Sequence, residues 1–228
     1  MSKLILVPTP IGNLKDITLR SIEVLESVDI VFSEDTRVTG KLLAHLNIKK
    51  PLKAYHAHNE HQSLEYFLDL IKQNSSAALV SDAGTPGISD PGFLLVRACI
   101  ERNISVETLP GPTAFVPALL QSGLPCDKFF FEGFLPHKKG RIKRLEWLKS
   151  IEQTFVLYES PHRINKCVDQ IMDVFGPNHQ MSISRELTKL HEETIRGTIE
   201  EVQQILSERS KLKGEIVVVV DGRIPVVS

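Results

Sequence analysis

The sequence predicts an α/β fold built as two α/β domains. Short apolar runs alternate with amphipathic segments of helical period, which is typical of strands and helices around a largely parallel sheet. The length of 228 residues is enough for one large domain or two small ones. The short, turn-forming stretch QSGLPCD (121–127) is the best boundary, so we predict domains over residues 1–120 and 121–228.

In the first half, predicted strands and helices alternate. KLILVPTP (3–10) is a strand closed by its prolines, and residues 14–28 carry apolar side chains at helical spacing. The remaining elements of this half are, in order, the strand DIVFSED (29–35), helices over 38–47 and 60–73, the strand AALVS (77–81), a helix over 91–102, the strand ISVETLPGP (104–112) and the helix AFVPALLQS (114–122).

The second half repeats this alternation. Its predicted elements are the strand KFFFEGF (128–134), a basic helix over 138–150, the strand TFVLYES (154–160), the helix PHRINKCVDQIMDVF (161–175), the strands SISREL (182–187) and TIRGT (194–198), a helix over 198–208 and the strand EIVVVVDG (215–222). The last run is so apolar that we expect a central strand covered on both faces.

Composition favours a soluble, cytoplasmic protein. Hydrophobic residues make up 42% and charged residues 24% of the chain, and no apolar run reaches the roughly 20 residues of a membrane helix. The N-terminus lacks the layout of a signal peptide. Three widely separated cysteines form neither a disulfide framework nor a zinc pattern, so we expect reduced, packed thiols.

Three loops rich in glycine and proline follow predicted strands: VPTPIGN (7–13), SDAGTPGISDPG (81–92) and LPGPTA (109–114). Each alone could be a tight turn. Together they indicate a shared crevice, because ligands of open α/β sheets lie beyond the carboxyl ends of the strands. No Gly-x-Gly pair and no P-loop motif occurs among the 13 glycines, which argues against dinucleotide binding and P-loop NTPase activity. Backbone groups, with Asp82 and Thr85, would hold the ligand.

Seven motifs carry a resemblance to a known family. In order they are VPTPIGNLKDIT, SEDTR, SDAGTPGISDPG, LPGPTA, FEGFLP, YESPHR and SRELTKLHEE. The chain resembles, from residue 3 to about residue 222, the proteins of tetrapyrrole-methylase-like fold, and among them the bacterial ribosomal RNA 2′-O-methyltransferases. Many members of that family continue beyond the final valine-rich strand.

The resemblance implies S-adenosylmethionine as cofactor, bound in the cleft between the two domains, and a homodimer. It implies methylation of a cytidine ribose of 16S ribosomal RNA, in the decoding centre of the small ribosomal subunit. The cofactor-binding residues that it implies are Pro10, Ser81, Asp82, Ala83, Gly84, Thr85, Thr113, Ala114, Tyr158, Glu159 and Leu187. Oxygen acceptors and apolar walls suit a sulfonium ligand better than a phosphate cradle would.

A ribose hydroxyl is a poor nucleophile at neutral pH, so a general base would accelerate methyl transfer by about 10²–10⁴-fold. The catalytic candidates are Glu34, Asp35 and Glu186, with Glu159 and His162 as further groups at strand ends. Each has a structural alternative. Asp35 could cap a helix, and Glu186 could pair with Arg185 or Lys189. We expect SEDTR (33–37) to face the substrate.

The stretch 138–149 carries six Lys or Arg residues against one Glu. It either contacts RNA phosphates or forms a solvated amphipathic helix with Ile142, Leu145 and Leu148 inward. Lys189 could add positive charge at the mouth of the cleft. The net charge of −1 favours recognition of RNA within a structured particle. The expected substrate-binding residues are Asn13, Arg37, Lys138, Lys139, Arg141 and Arg163.

Two alternatives remain open at this level. One is a methylase of the same fold that acts on a tetrapyrrole carbon, although such enzymes usually have a glycine-rich first loop where this chain reads TPIGN. The other is a catalytically silent RNA-binding factor in ribosome assembly. HAHNEH (56–61) has a spacing similar to metal ligands, but we expect polar histidines near the substrate and no metal.

Overall fold

The computed structural model describes residues 2–56, 60–209 and 212–223, and for residues 60–62 it describes the backbone only. The chain divides into two compact units, Met1–Thr113 and Ala114–Ser228. This division precedes the boundary expected after residue 120, because the helix Phe115–Ser122 packs on the sheet of the second unit.

The first unit is a five-stranded parallel sheet with helices on both faces. Its strand order is β3-β2-β4-β1-β5. In chain order its elements are β1 (Lys3–Leu6), a 3₁₀ helix (Leu14–Asp16), α1 (Leu19–Ser27), β2 (Ile30–Ser33), α2 (Thr36–His45), β3 (Leu52–Ala54), α3 (Glu60–Asn74), β4 (Ser76–Val80), α4 (Phe93–Glu101) and β5 (Ser105–Thr108).

Successive side chains of the central strands point to opposite faces of the sheet and pack into two separate hydrophobic cores. Leu4 and Leu79 pack with Leu68 and Leu95 of α3 and α4 on one face. Ile5 and its neighbours pack against α1 and α2 on the other. The α/β prediction is confirmed. The edge strand β3 was not expected, because its three half-buried or exposed residues give no apolar pattern.

The second unit is a mixed sheet of order β6-β7-β10-β8-β9. Its elements are α5 (Phe115–Ser122), β6 (Phe129–Phe134), α6 (Arg141–Ser150), β7 (Thr154–Glu159), α7 (Ile164–Phe175), β8 (Gln180–Arg185), β9 (Glu193–Thr198), α8 (Ile199–Ser207) and β10 (Ile216–Val220). The central position of β10, all of whose residues are buried, was predicted.

The expectation of a largely parallel sheet is wrong for the second unit. Only β6 and β7 pair in parallel, while the other three pairs are antiparallel. The loop 186–192 joins β8 to β9 directly and is too short for the crossover that parallel neighbours need. These strand directions place the carboxyl ends of β6, β7 and β8 at one edge of this sheet. They are the ends where FEGFLP, YESPHR and SREL lie.

The cysteines divide between the interior and the surface. Cys99 and Cys167 are buried as expected, but Cys126 is exposed. None of the helices in the described ranges is long and apolar enough to cross a membrane. Residues 57–59 of HAHNEH lie outside the described residues. Within the described part of the chain, no three His, Cys, Asp or Glu side chains form a group that could hold a metal ion.

Candidate active site

The loops after β1 and β4 are joined by backbone pairing. Thr9 and Gly84 each donate an N–H to the other's carbonyl oxygen at 2.9 Å, and the Thr9 hydroxyl donates to the Ser81 carbonyl at 3.1 Å. Gly84 has a φ of +85°, and a Cβ there would lie 3.4 Å from the Ile11 side chain. Glycine therefore permits the left-handed backbone at which the two loops pair.

The loop after β5 joins the same group. The Thr85 hydroxyl donates to the Pro112 carbonyl at 3.0 Å. At Gly111 an added Cβ would lie 2.6 Å from Cβ of Pro8, closer than such atoms approach in proteins. The three glycine- and proline-rich loops thus meet at one edge of the first sheet, where the sequence predicts a crevice.

The segment after β2 is linked to the loop after β4 by reciprocal bonds. The Asp35 N–H donates to Oδ1 of Asp82 at 2.9 Å, and the Asp82 backbone N–H donates to the Glu34 carboxylate. Asp82 therefore connects two strand ends of the sheet. The sequence singled out Asp82 only as a ligand group.

Asp35 is the N-cap of α2, which is the structural alternative left open for it. Its carboxylate accepts the Arg37 N–H at 2.8 Å and the Arg37 Nη2 at 2.6 Å. The side-chain hydrogen bond from Arg37, with the backbone N–H of the same residue, holds the Asp35 pKa well below its usual range. A carboxylate so stabilised in its ionised form is a weak base.

The pKa values of Glu34 and Asp82 are shifted in the opposite direction to that of Asp35. Burial raises the pKa of Glu34, and the charge of Asp82 adds to that rise. Burial likewise raises the pKa of Asp82 against the hydrogen bond from Asp35. The sequence missed a third group, Asp90, whose pKa is raised to about 7 by burial first and then by the charges of Glu34 and Asp82. Its position in SDPG was the only signal, and a Pro-Gly turn was the simpler interpretation.

The other expected residues of the first unit lie in the same loops. Pro10, Ala83 and Thr113 are half-buried, and Ser81 is buried with its hydroxyl 3.2 Å from the Gly84 carbonyl. Asn13 is exposed and caps the 3₁₀ helix through the Lys15 N–H.

In the second unit, Glu159 holds a buried ion-pair network at the end of β7. Its Oε2 accepts Nη2 of Arg141 at 2.6 Å, and its Oε1 accepts Nε of Arg163 at 2.9 Å and the Ser160 N–H at 2.8 Å. Burial opposes ionisation, but these donors outweigh it and lower the Glu159 pKa. Arg141 also donates to Gln170 at 2.8 Å.

This network corrects the expectation for Arg141. The residue is only 6% exposed, so its guanidinium lies inside the unit rather than on a surface that faces RNA. Arg163 is partly exposed and also contacts Nδ1 of His137 at 2.6 Å. Of the expected cofactor residues of this unit, Tyr158 packs its ring against those of Phe131 and Phe134, and Leu187 is buried. Ala114 precedes α5 as its N-cap.

Glu186 has the structural role that the sequence left open, because it pairs with Lys189. Its Oε1 accepts Nζ of Lys189 at 2.9 Å and the Glu215 N–H at 3.0 Å, and these bonds lower its pKa. The backbone has a φ of +50°, which turns the chain out of β8. Hydrogen bonds stabilise the ionised form of Glu186, as they do for Asp35, so its carboxylate is also a weak base.

Helix α6 has the buried apolar side of an amphipathic helix and also carries exposed basic residues that could contact RNA. Leu145 and Leu148 are buried as the amphipathic pattern predicts, but Ile142 is 41% exposed and Arg141 is inward instead. Arg144 is bound by Glu132 at 2.7 Å and lies 4.0 Å from the centre of the Trp147 ring. The exposed basic residues in this stretch are Lys138, Lys139, Lys143 and Lys149, and Lys149 also donates to the Val174 carbonyl.

The chain is similar in sequence and in fold to known proteins. A family model described as Tetrapyrrole (Corrin/Porphyrin) Methylases matches residues 3–203. The chain is 49% identical over 222 residues to the ribosomal RNA small subunit methyltransferase I of Vibrio cholerae, covering 96% of this chain and 77% of that protein. It is 44% identical over 223 residues to the protein of the same name from Thermotoga maritima, covering 98% and 100%.

Two solved structures share the fold at low sequence identity. One is the cobalt precorrin-4 methyltransferase CbiF, with a TM-score of 0.70, 16% identity, and coverage of 98% of this chain and 96% of that chain. The other is the uroporphyrin-III C-methyltransferase of Thermus thermophilus in complex with S-adenosylhomocysteine, with a TM-score of 0.67, 17% identity and coverage of 97% and 98%.

Proposed function

Because the chain belongs to the tetrapyrrole (corrin/porphyrin) methylase family, we propose that it transfers a methyl group from S-adenosylmethionine to a cytidine 2′-hydroxyl of small-subunit ribosomal RNA. The observation that carries this proposal is identity of 44–49% across both units to ribosomal RNA small subunit methyltransferase I from several bacteria. The two solved tetrapyrrole methylases are only 16–17% identical. RNA is therefore favoured over a tetrapyrrole as the substrate.

The strand-end loops of the first unit suit the cofactor. Gly84 and Gly111 allow the three loops to pack closely, so their backbone groups lie together at one edge of the sheet. The carboxylates of Glu34 and Asp82 supply negative charge beside a cationic sulfonium. When bound, S-adenosylmethionine supplies an activated methyl group. The chain's task is then to place the ribose oxygen in line with that group.

The proposed cofactor set keeps the loop residues Pro10, Ser81, Asp82, Ala83, Gly84, Thr85, Thr113 and Ala114, together with Tyr158, Glu159 and Leu187. Glu159 would act through the loop YESPHR rather than by direct contact, because its three donors already occupy both carboxylate oxygens. Asp35 would hold the start of α2 and Glu186 would hold the turn after β8, and Glu34 would lie beside the reacting hydroxyl.

The proposed RNA contacts are Asn13, Arg37, Lys138, Lys139 and Arg163, with Lys143 added and Arg141 removed. Lys138, Lys139 and Lys143 are exposed and could contact phosphates. We place this reaction in the cytoplasm, on assembled or assembling small subunits, with the enzyme as a homodimer.

The test is methyl transfer by the purified chain. Labelled S-adenosylmethionine is supplied with small ribosomal subunits that lack 2′-O-methylcytidine, or with uroporphyrinogen III, and products are analysed by mass spectrometry. We expect one methyl group on a cytidine ribose of the RNA and none on the tetrapyrrole. Transfer to the tetrapyrrole alone would replace the proposal with that alternative, and absence of transfer to both would favour the silent factor.

A further inference from the structure

Trp147 is the only tryptophan of the chain, and it lies on α6 one turn after Lys143. Its side chain takes no part in the site described above. Helix α6 buries Leu145 and Leu148, as an amphipathic helix does with its large apolar residues. Trp147, in contrast, is 40% exposed. The indole therefore stands outside the core that this helix covers.

The indole belongs to a cluster of three planar groups beside β6, the edge strand of the second sheet. The Arg144 guanidinium lies over the Trp147 ring, 4.0 Å from its centre, and is 5.5 Å from the centre of the Phe130 ring. The two aromatic rings are inclined at 73°, with their centres 5.1 Å apart. Since the guanidinium lies over the indole, these distances place Phe130 beside the indole edge. Neither group therefore covers the second face of the indole.

Glu132 of β6 fixes the guanidinium in this position. Its Oε1 accepts Nε of Arg144 at 2.7 Å and its Oε2 accepts Nη2 at 2.7 Å. The Glu132 side chain is only 6% exposed, and a two-point bond of this kind holds the plane of the guanidinium. The indole is thus supported on one face in the free chain. A ligand that stacks on the other face loses less conformational freedom than it would on a mobile ring.

The surface around the indole carries mainly positive charge. Lys138, Lys139 and Lys143 are exposed, and Glu146 is the one acidic residue of α6. Positive charge attracts the phosphates of a nucleic acid, and exposed aromatic rings stack on the bases of single-stranded RNA. In a duplex the bases are already stacked on one another, so their faces are closed to an indole. An unpaired nucleotide is the ligand that suits both the charge and the ring.

We propose that the uncovered face of Trp147 stacks on an unpaired base of the RNA substrate, while Lys143 binds a phosphate of the same strand. This inference rests on the function proposed above and deepens it by naming the part of the RNA that α6 recognises. Stacking accepts any base, because every base has a π-face. The surface therefore selects single-stranded over duplex RNA rather than a particular sequence.

The first experiment uses the fluorescence of Trp147, which reports on this position alone because the chain has one tryptophan. The chain is titrated at low salt with a single-stranded oligouridylate, with a duplex RNA that has the same number of phosphates, and with heparin as a polyanion without bases. We expect saturable quenching by the oligouridylate and much weaker quenching by the other two.

The second experiment measures the affinity for labelled oligouridylate by fluorescence anisotropy. Trp147→Leu should weaken binding about tenfold, and Trp147→Phe should recover part of that loss because it restores an aromatic face. Lys143→Gln should lower the slope of affinity against salt by about one. Ile142→Ala is the matched control, since Ile142 is 41% exposed on the same helix, and it should bind as wild type does.

Three outcomes would overturn the inference. Equal quenching by oligouridylate, duplex and heparin would show that the surface responds to charge alone. Unchanged affinity in Trp147→Leu would show that the indole does not stack on a base. Quenching by small ribosomal subunits without any quenching by oligouridylate would assign the surface to a protein partner.

Methyl transfer gives a separate readout for the proposed function. If the chain methylates small subunits but Trp147→Leu binds oligouridylate as tightly as wild type, the proposed function stands and this inference fails. If oligouridylate quenches Trp147 and the chain transfers no methyl group, the RNA-binding surface stands and the proposed methyl transfer fails.

Discussion

At the residue scale, Arg141 and Glu159 illustrate how burial changes the meaning of a charge. Their side chains are 6% and 1% exposed and bond at 2.6 Å. A buried carboxylate that loses a charged partner is left only partly compensated, here by Arg163 and the Ser160 N–H, and this costs more than the loss of a pair on the surface. The ion pair therefore stabilises the fold at the end of β7, and Arg141 has this structural role instead of a contact with RNA.

Arg141→Met should accordingly lower the free energy of unfolding by about 3 kcal/mol, measured by urea denaturation at pH 7. The control is Arg97→Met, which removes an exposed helical pair with Glu101 and should change stability by about 0.5 kcal/mol or less. Equal effects of the two substitutions would show that the buried pair contributes no more than a surface pair.

The pH dependence of that difference has a defined sign. The Glu159 pKa is lowered in the folded chain, so its stabilising contribution is present above the usual glutamate pKa and is lost as pH falls below it. The gap in stability between wild type and Arg141→Met should therefore narrow below about pH 4. A gap that widens in acid would contradict the assignment.

Single residues were also where prediction from sequence reached its limit. Asp35 and Glu186 each had a structural and a catalytic interpretation, and the local sequence could not choose between them. Arg141 finds its partner 18 residues away along the chain, and the Asp90 pKa is raised first by burial and then by the charges of Glu34 and Asp82. Such properties depend on tertiary contacts, which no local pattern encodes.

At the scale of elements, the three strand-end loops behave as one packed assembly. Their contacts run from Thr9 to Gly84, from Thr85 to Pro112 and from Gly111 to Pro8. Backbone atoms and rigid proline rings make most of these contacts. The assembly therefore has little freedom to absorb an added group.

Gly111→Ala should disturb this assembly, because the new Cβ would meet the Pro8 ring at 2.6–2.9 Å. We expect a loss of about 1–3 kcal/mol in unfolding free energy and weaker S-adenosylhomocysteine binding by calorimetry. Gly40→Ala is the control. Its Cβ would meet only Leu52 at 3.8 Å within α2, where alanine favours the helix. Unchanged cofactor affinity in Gly111→Ala would argue against a binding role for these loops.

Elements with strong patterns were predicted well. The valine-rich run of β10 predicted a central buried strand, and Cys99 on α4 is buried, as expected for a packed thiol. Short or mixed elements were not. The strand β3 has three residues with no buried side chain, and the face that α6 buries includes an arginine. Hydrophobic periodicity carries no information on such elements.

At the scale of the whole molecule, both units place their motif-bearing loops at one edge of a five-stranded sheet, but the strand topologies of the two sheets differ. The first has an all-parallel sheet whose carboxyl ends share one edge, and the second has a mixed sheet whose motif-bearing ends also share one edge. The alternation of strands and helices predicted two α/β units. It could not predict strand direction in the second, because that depends on connections as short as the loop 186–192.

The most direct test of the central claim is a crystal structure of the chain with S-adenosylhomocysteine. The product should lie against the loops 7–13, 81–92 and 109–114, with its sulfur on the side of Glu34. Product bound at any other surface, or crystals grown at saturating product that contain none, would contradict the claim that these loops form the methyl-donor site.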